Sequence, residues 1–220
     1  MKRTDAEIQQ AVLLEFKWDT RVDETEVGVQ VDEGIVTLTG TVSNWAKRVA
    51  AQEAAHRVSG VLDVANDIEV RAVGIRTDAD IASALRHALD WDVFVPEARI
   101  RSTVSDGWVM LEGDVDYWSQ REDTERCIRN LAGVRGITNR IEIKPPKVNP
   151  YEVRKSIEDA LARHAEREAK KVSLDVQDGR VIVSGIVDSW TDKETVIGAA
   201  KGTPGVRSVE DRLRIEPLAA

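Results

Sequence analysis

The sequence predicts an α+β protein of three tandem domains, each with the element order αββαβ and a small three-stranded mixed sheet covered on one face by two helices. The first observation is a repeated motif, "VDEGIVTLTGTVSNW" at 31–45, "VSDGWVMLEGDVDYW" at 104–118 and "VQDGRVIVSGIVDSW" at 176–190. The second is a constant spacing, since Gly34 and Gly107 are 73 residues apart and Gly107 and Gly179 are 72 apart. Within 220 residues, this period indicates three units rather than one large domain.

Each unit opens with a segment whose apolar residues are spaced as on one face of a helix. In the second unit, Ile81, Leu85 and Leu89 form this stripe. Thr77 and Asn149 stand just upstream in the second and third units, where an N-cap is expected.

A hairpin follows, indicated by the alternating apolar residues of "VGVQVD" and "IVTLTGTV". The turn contains Gly34, Gly107 or Gly179, and the pairs Asp106-Gly107 and Asp178-Gly179 tolerate the positive φ of a tight turn. These glycines are therefore predicted to be structural.

A second glycine lies inside the second strand, at Gly40, Gly113 and Gly185. Glycine inside a strand usually marks backbone geometry, so we expect a close helix approach or a bulge, with close approach of a ligand as the alternative.

The second helix begins at a tryptophan in every unit. We expect it to end at Gly60, Gly133 and Gly205 in the C′ position. The segments "VLDVANDIEV", "VRGITNRIEI" and "VRSVEDRLRI" then predict a last strand. The predicted domains span residues 1–73, 74–146 and 147–220, and the proline-rich "KPPKVNP" at 144–150 stiffens the second junction.

The repeated motif resembles the bacterial BON domain family, in the pattern "DGxVxLxGxV", a helix, "GV" and "NxIxV". In the first copy the resemblance rests on Gly34, Val36, Leu38, Gly40, Val42, Gly60, Val61, Asn66, Ile68 and Val70. It implies a non-enzymatic αββαβ domain of the kind found in osmotically inducible and other stress-related proteins, in secretins and in mechanosensitive channels. Family members bind phospholipid surfaces, polymers or other proteins, and one relative binds potassium.

Composition and charge exclude several classes of function. A net charge of −8 lacks the basic footprint that nucleic acid binding requires. No apolar run approaches 18 residues, and "MKRTDAEIQQAVLLEF" has no apolar region of the signal-peptide type, so we expect a cytoplasmic protein without a transmembrane segment. Cys127 is the single cysteine, which excludes an internal disulfide.

Neither catalysis nor a cofactor is indicated. His56, His87 and His164 occupy non-equivalent positions without metal-ligand spacing. Ser43 has no nucleophile-elbow motif, and no phosphate-binding glycine loop is present. We therefore expect no catalytic residue, no metal site and no cofactor.

Aromatic residues form two sets of candidate contacts. The first set recurs at the start of the second helix in each unit. These tryptophans either cover the end of each core or form an interface, and they are Trp45, Trp118 and Trp190. The second set follows the first helix in two units only, which weakens a role in the fold and leaves a binding role as the alternative; it consists of Trp18, Trp91 and Phe94. Trp108, on the strand face away from the helices, indicates either packing between repeats or a partner site.

The third unit replaces the tryptophan of the second set by a basic segment. Its candidate contacts with anionic headgroups are Arg163, Arg167, Lys170 and Lys171, although Glu166 and Glu168 are interleaved. A solvated helix face is the favoured interpretation of this segment, and contact with anionic headgroups is the alternative.

Together these features predict a non-catalytic, stress-related binding protein whose partner is a phospholipid surface or another ligand. The alternatives are a soluble scaffold that holds other proteins or a second copy of itself, and a potassium-sensing module. Backbone carbonyls would coordinate potassium, and these leave little trace in a sequence.

Overall fold

The computed structural model describes residues 3–71, 76–146, 148–164 and 172–216, and these form three consecutive units with the same element order. The first unit contains six elements, because its last strand is interrupted. They are α1 (Asp5–Trp18), β1 (Val27–Asp32), β2 (Ile35–Val42), α2 (Trp45–His56), β3 (Asp63–Asn66) and β4 (Glu69–Val70).

The second and third units have an unbroken last strand. The second unit consists of α3 (Asp78–Trp91), β5 (Ile100–Ser105), β6 (Trp108–Val115), α4 (Trp118–Arg129) and β7 (Gly136–Ile143). The third consists of α5 (Pro150–His164), β8 (Val172–Gln177), β9 (Arg180–Val187), α6 (Trp190–Lys201) and β10 (Ser208–Ile215). We call these units repeats 1, 2 and 3.

Each repeat builds one mixed sheet around its second strand. That strand pairs antiparallel with the first strand of the repeat and parallel with the last, in the orders β1-β2-β3, β5-β6-β7 and β10-β9-β8. In repeat 1 both β3 and β4 pair with β2, so they are two halves of one strand. The predicted fold class is confirmed.

The first helix of repeats 1 and 2 is anchored at its N-terminus. Thr4 and Thr77 form capping boxes with the residue three positions later. The next residue, Asp78, accepts hydrogen bonds from the backbone amides of Asp106 and Gly107, both at 2.9 Å. Asp5 makes the same contacts in repeat 1, so each capped helix start also holds a hairpin turn in place.

The hairpin turns have the predicted conformation. In repeat 2, Asp106 and Gly107 have φ values of 50° and 75°, and the equivalent pairs of the other repeats are alike. Two positive φ values identify a type I′ turn, whose twist matches that of the flanking strands.

The glycine inside the second strand is required by the close approach of a neighbouring backbone segment, not by the approach of a helix. A Cβ atom on Gly113, at φ 134°, would stand 2.1 Å from the carbonyl oxygen of Arg99. On Gly40 it would stand 2.1 Å from the carbonyl oxygen of Glu26. The predicted helix approach is therefore wrong at these two positions, because the residue before the first strand already fills the space.

The predicted C′ role of the third glycine set is also wrong. Helix α2 ends at His56, and Gly60 lies four residues further on, at φ 99°. It occupies the third position of a turn closed by a hydrogen bond from the Val61 amide to the Val58 carbonyl. A Cβ there would contact Ile8 at 3.2 Å, so the glycine lets this turn pack against α1. Gly133 and Gly205 follow the same pattern.

Every repeat has its own hydrophobic core between the sheet and its two helices. The predicted stripe of Ile81, Leu85 and Leu89 is buried in repeat 2, as are Ile8, Val12 and Phe16 in repeat 1. No helix among the described residues is long and apolar enough to cross a membrane.

Candidate functional site

Two exposed aromatic residues lie at the C-terminal end of α3 and just after it. Trp91, the last residue of that helix, is 89% exposed, and Phe94 is 69% exposed. Val93 between them is also exposed. We call Trp91, Val93 and Phe94 the aromatic tip of repeat 2.

A short turn pushes the aromatic tip outward. The Asp92 carboxylate accepts a hydrogen bond from the Phe94 amide at 3.0 Å, and the Val95 amide donates to the Asp92 carbonyl. Val95 is buried in the core, so the turn is fixed at its far end. Because Asp92 ends the helix and Val95 returns to the core, the residues between them face solvent.

Repeat 1 carries a smaller version of the same feature. Trp18 ends α1 and is 77% exposed. Asp19 forms the equivalent turn and pairs with Arg21 and Arg57 at 2.8 and 2.7 Å. The Arg21 hydrogen bond, followed by that of Arg57, holds the pKa of this carboxyl well below its usual range. The residues after Trp18 are polar, so the tip of repeat 1 is a single indole.

Repeat 3 has no tryptophan at this position. Arg163 lies in the last turn of α5, and its side chain is outside the described part of the structure. The other three basic candidates, Arg167, Lys170 and Lys171, also lie outside the described residues.

The surroundings of the aromatic tip are acidic. Asp90 and Asp92 flank Trp91, and Glu97 follows Phe94 in the short 3₁₀ turn of residues 97–99. The tip therefore combines an apolar surface with negative charge.

The recurring tryptophans serve contacts between repeats. Trp45 packs against the cores of repeats 1 and 2, and Trp118 against those of repeats 2 and 3. Trp190, in repeat 3, packs against the core of repeat 1. The three tryptophans thus link the repeats in a closed cycle, which goes beyond a lid over each repeat's own core.

Residues at the ends of the second helices complete this cycle. His56, Arg129 and Lys201 are the last residues of α2, α4 and α6. Arg129 forms an ion pair at 3.2 Å with Glu53 of repeat 1. The ammonium of Lys201 lies 5.1 Å from the centre of the Trp118 ring, and His56 stacks on Trp190.

A cation three residues after each tryptophan braces its ring. The guanidinium of Arg48 lies 5.3 Å from the centre of the Trp45 ring and also contacts the Asn66 carbonyl. Arg121 repeats this arrangement in repeat 2. In repeat 3 a lysine, Lys193, takes the place of the arginine and pairs with Asp211 at 2.8 Å.

The sequence left two roles open for Trp108, packing between repeats and contact with a partner, and its position is compatible with both. Its ring centre lies 6.4 Å from that of Trp45 across the junction of repeats 1 and 2, yet half of its surface is exposed. It therefore packs between repeats and also presents a free face.

Two observations concern metal-ligating and nucleophilic side chains among the described residues. Among the described residues, no group of three or more His, Cys, Asp or Glu side chains is placed to hold a metal ion. Burial raises the pKa of the Cys127 thiol to about 11, which leaves it protonated at neutral pH.

Sequence reasoning missed the cyclic contacts and the residues that make them. His56, Arg129 and Lys201 occupy equivalent positions, and the constant spacing of the repeats was the available signal. Because the three side chains differ chemically, nothing in the residues alone indicated a shared contact.

Three small α+β units closed by mutual contacts define a tandem-repeat protein. A family model described as the BON domain matches residues 4–72, 77–145 and 152–217. The chain therefore belongs to the BON domain family, which is non-enzymatic.

Two curated relatives share parts of the chain. Osmotically-inducible protein Y of Escherichia coli (strain K12) is 29% identical over 129 residues, 56% of this chain and 64% of that protein. The match thus spans less than two thirds of that relative. An uncharacterized protein in the gshII 5′ region of Anaplasma centrale is 29% identical over 119 residues, 51% of this chain and 79% of the relative. The chain accordingly belongs to a family with an osmotically inducible member.

Among solved structures, CdsD, a structural protein of the type III secretion system of Chlamydia trachomatis, aligns with 95% of this chain and 92% of its own. The identity is 14% and the TM-score 0.27, so this similarity supports no conclusion.

Proposed function

We propose that this protein is a non-catalytic module that binds the surface of phospholipid membranes during osmotic stress, by inserting the aromatic tip of repeat 2. The observation that carries the proposal is the near-complete exposure of Trp91 together with the exposure of Val93 and Phe94. The tip of repeat 1, Trp18, provides a second point of insertion.

A bilayer interface suits this group of side chains. Tryptophan is favoured at the level of the lipid headgroups, where its ring is removed from water and its N–H group remains hydrated. Burying a large apolar side chain contributes about 2 kcal/mol. The tip therefore supports reversible attachment, comparable to that of a weak lipid anchor.

The negative charge around the aromatic tip determines which lipid headgroups we expect the protein to bind. Asp90, Asp92 and Glu97 lie beside the tip, and the chain carries a net charge of −8. Anionic headgroups repel such a surface, so we expect zwitterionic vesicles to bind better than anionic ones at low salt.

Vesicle flotation tests the proposal. The purified chain is expected to float with phosphatidylcholine vesicles, and the double variant Trp91→Ala, Phe94→Ala to remain at the bottom of the gradient. The matched control is Tyr151→Ala, which removes an exposed aromatic ring from α5 without touching either tip. If the double variant floats as well as the control variant, membrane insertion by this tip is wrong.

The acidic flank of the tip favours a second candidate function, a soluble scaffold for a partner protein with a basic surface. Apolar residues bordered by charge of one sign are typical of specific protein interfaces. The two functions are distinguished by salt. Vesicle binding through the tip persists or strengthens at high salt, whereas binding to a basic partner weakens.

A further inference from the structure

The junction between repeats 1 and 2 contains a cleft. Its volume is about 420 Å³, and its walls combine arginines from both repeats with one indole. The residues that matter for its chemistry are Arg48, Glu69, Arg71, Trp108 and Arg135.

The indole of Trp108 is held as a flat platform. It pairs across the sheet with Gly136, and a Cβ atom on Gly136 would stand 2.2 Å from the Trp108 ring. The ring therefore lies directly on the glycine backbone, and only glycine permits this position. Trp45 supports it from repeat 1 at 6.4 Å. With one side fixed and half of its surface exposed, the ring is ready to stack on a planar group.

The arginines around this platform are available to an anion. Among the described residues Arg135 has no ion pair and no side-chain hydrogen bond. Arg71 pairs with Glu69 at 3.1 Å, but both side chains are largely exposed, and such pairs contribute little. Arg48 is engaged with the Asn66 carbonyl. Three guanidinium groups thus face one carboxylate in this cleft.

Repeats 1 and 3 do not have the combination of tryptophan and glycine at the positions of Trp108 and Gly136. At the position of Trp108, repeat 3 has Arg180, which pairs with Glu210, and repeat 1 has Ile35. At the position of Gly136 they have Ser208 and Asp63. Because a fold requirement would recur in each repeat, the pairing of Trp108 with Gly136 indicates a role particular to this junction.

We propose that this cleft binds a small ligand made of a planar ring that carries a phosphate group, as in a mononucleotide. The ring stacks on the exposed face of Trp108, and the phosphate accepts hydrogen bonds from Arg135 and Arg71. A cleft of this volume holds one such molecule but no nucleic acid duplex. This site is separate from the aromatic tip and does not depend on membrane binding.

Isothermal titration calorimetry with adenosine 5′-monophosphate tests the proposal on the full chain. We expect saturable binding, with adenosine and inorganic phosphate each at least about tenfold weaker, because each satisfies only half of the site. Arg135→Ala should weaken binding at least about tenfold through the loss of a charged hydrogen bond. Trp108→Leu should weaken the binding of adenosine 5′-monophosphate and leave that of phosphate unchanged.

The matched control is Arg207→Ala. Arg207 is the equivalent of Arg135 in repeat 3, and its stem packs near Gly179 as that of Arg135 packs near Gly107. This variant should bind as the unmodified chain does, and circular dichroism confirms that each variant is folded. The proposal is overturned if adenosine 5′-monophosphate does not bind at millimolar concentration, if phosphate alone binds equally well, or if both arginine variants behave alike.

Discussion

The indole of Trp190 stacks on the imidazole of His56, with ring centres 4.0 Å apart and 19° between the ring planes. The indole N–H also donates a hydrogen bond of 3.0 Å to the carbonyl of Leu62. Both contacts join repeat 3 to repeat 1, which are separated in the chain by the whole of repeat 2. Trp190 therefore helps to close the cycle of repeats, and its loss has consequences that can be measured.

Replacing Trp190 by alanine should open this closure. Because the ring is half-buried, we expect the free energy of unfolding to fall by about 2 kcal/mol, roughly half the cost of removing a fully buried aromatic ring. Urea denaturation followed by circular dichroism measures the change. Trp91→Ala, which removes an equally large but exposed ring, is the control and should change stability by less than about 0.5 kcal/mol. Equal midpoints for the two variants would contradict the closure.

The same contact predicts a dependence on pH. Burial lowers the pKa of His56, and the nearby Lys193 lowers it further, while Asp63 opposes them. The Nε2 atom is buried without a hydrogen-bond partner among the described residues. Protonation is thus easier in the unfolded chain than in the folded one, so stability is fully present above the unfolded pKa of 6.5 and falls as the pH drops below it.

Denaturation midpoints between pH 7.5 and pH 5.5 measure this effect, above the range in which carboxylates titrate. His56→Gln should flatten the decline, because the glutamine does not titrate. His87→Gln, on the exposed face of α3, is the control and should leave the decline as it is. A decline of the same size in the His56 variant would show that another group is responsible.

The fold could be predicted because its signals are local. Alternating valines, the Asp106-Gly107 turn and the Thr77 cap each specify the conformation of a few neighbouring residues, and these act in the same way in every copy. The C′ assignment of Gly60 failed because a helix end and a tight turn after a helix both require a positive φ. Sequence alone does not distinguish the two.

The sites could be predicted only in part, because their geometry depends on contacts far apart in the chain. Trp91 and Phe94 could be identified as candidates, since they are missing from repeat 3. That Trp108 lies on Gly136 follows from the register of two parallel strands, which the residues do not reveal. The partner of Trp190 in repeat 1 is 134 residues away at His56, beyond the reach of any local pattern.

Two glycines should respond in opposite ways to the same substitution. Gly113→Ala places a methyl group 2.1 Å from the Arg99 carbonyl at φ 134°, so we expect a loss of about 3 kcal/mol or more. Gly198 lies in α6 with nothing within 4 Å of the added Cβ. Alanine there should raise stability by about 0.5–1 kcal/mol, because it favours the helix. Urea denaturation compares the pair, and equal effects would contradict the described backbone.

The Cys127 thiol should react slowly with alkylating reagents. Burial, together with the charge of Asp92, raises its pKa to about 11. Only the thiolate reacts, and two pKa units above the ordinary value reduce its fraction near pH 8 by about 100-fold. Alkylation by iodoacetamide, followed by intact mass spectrometry, should therefore be about 100-fold slower than for a cysteine in a short peptide. Denaturing the chain in guanidinium removes the burial and should restore the ordinary rate. Fast alkylation of the native chain would show that α4 does not hold this thiol against the core.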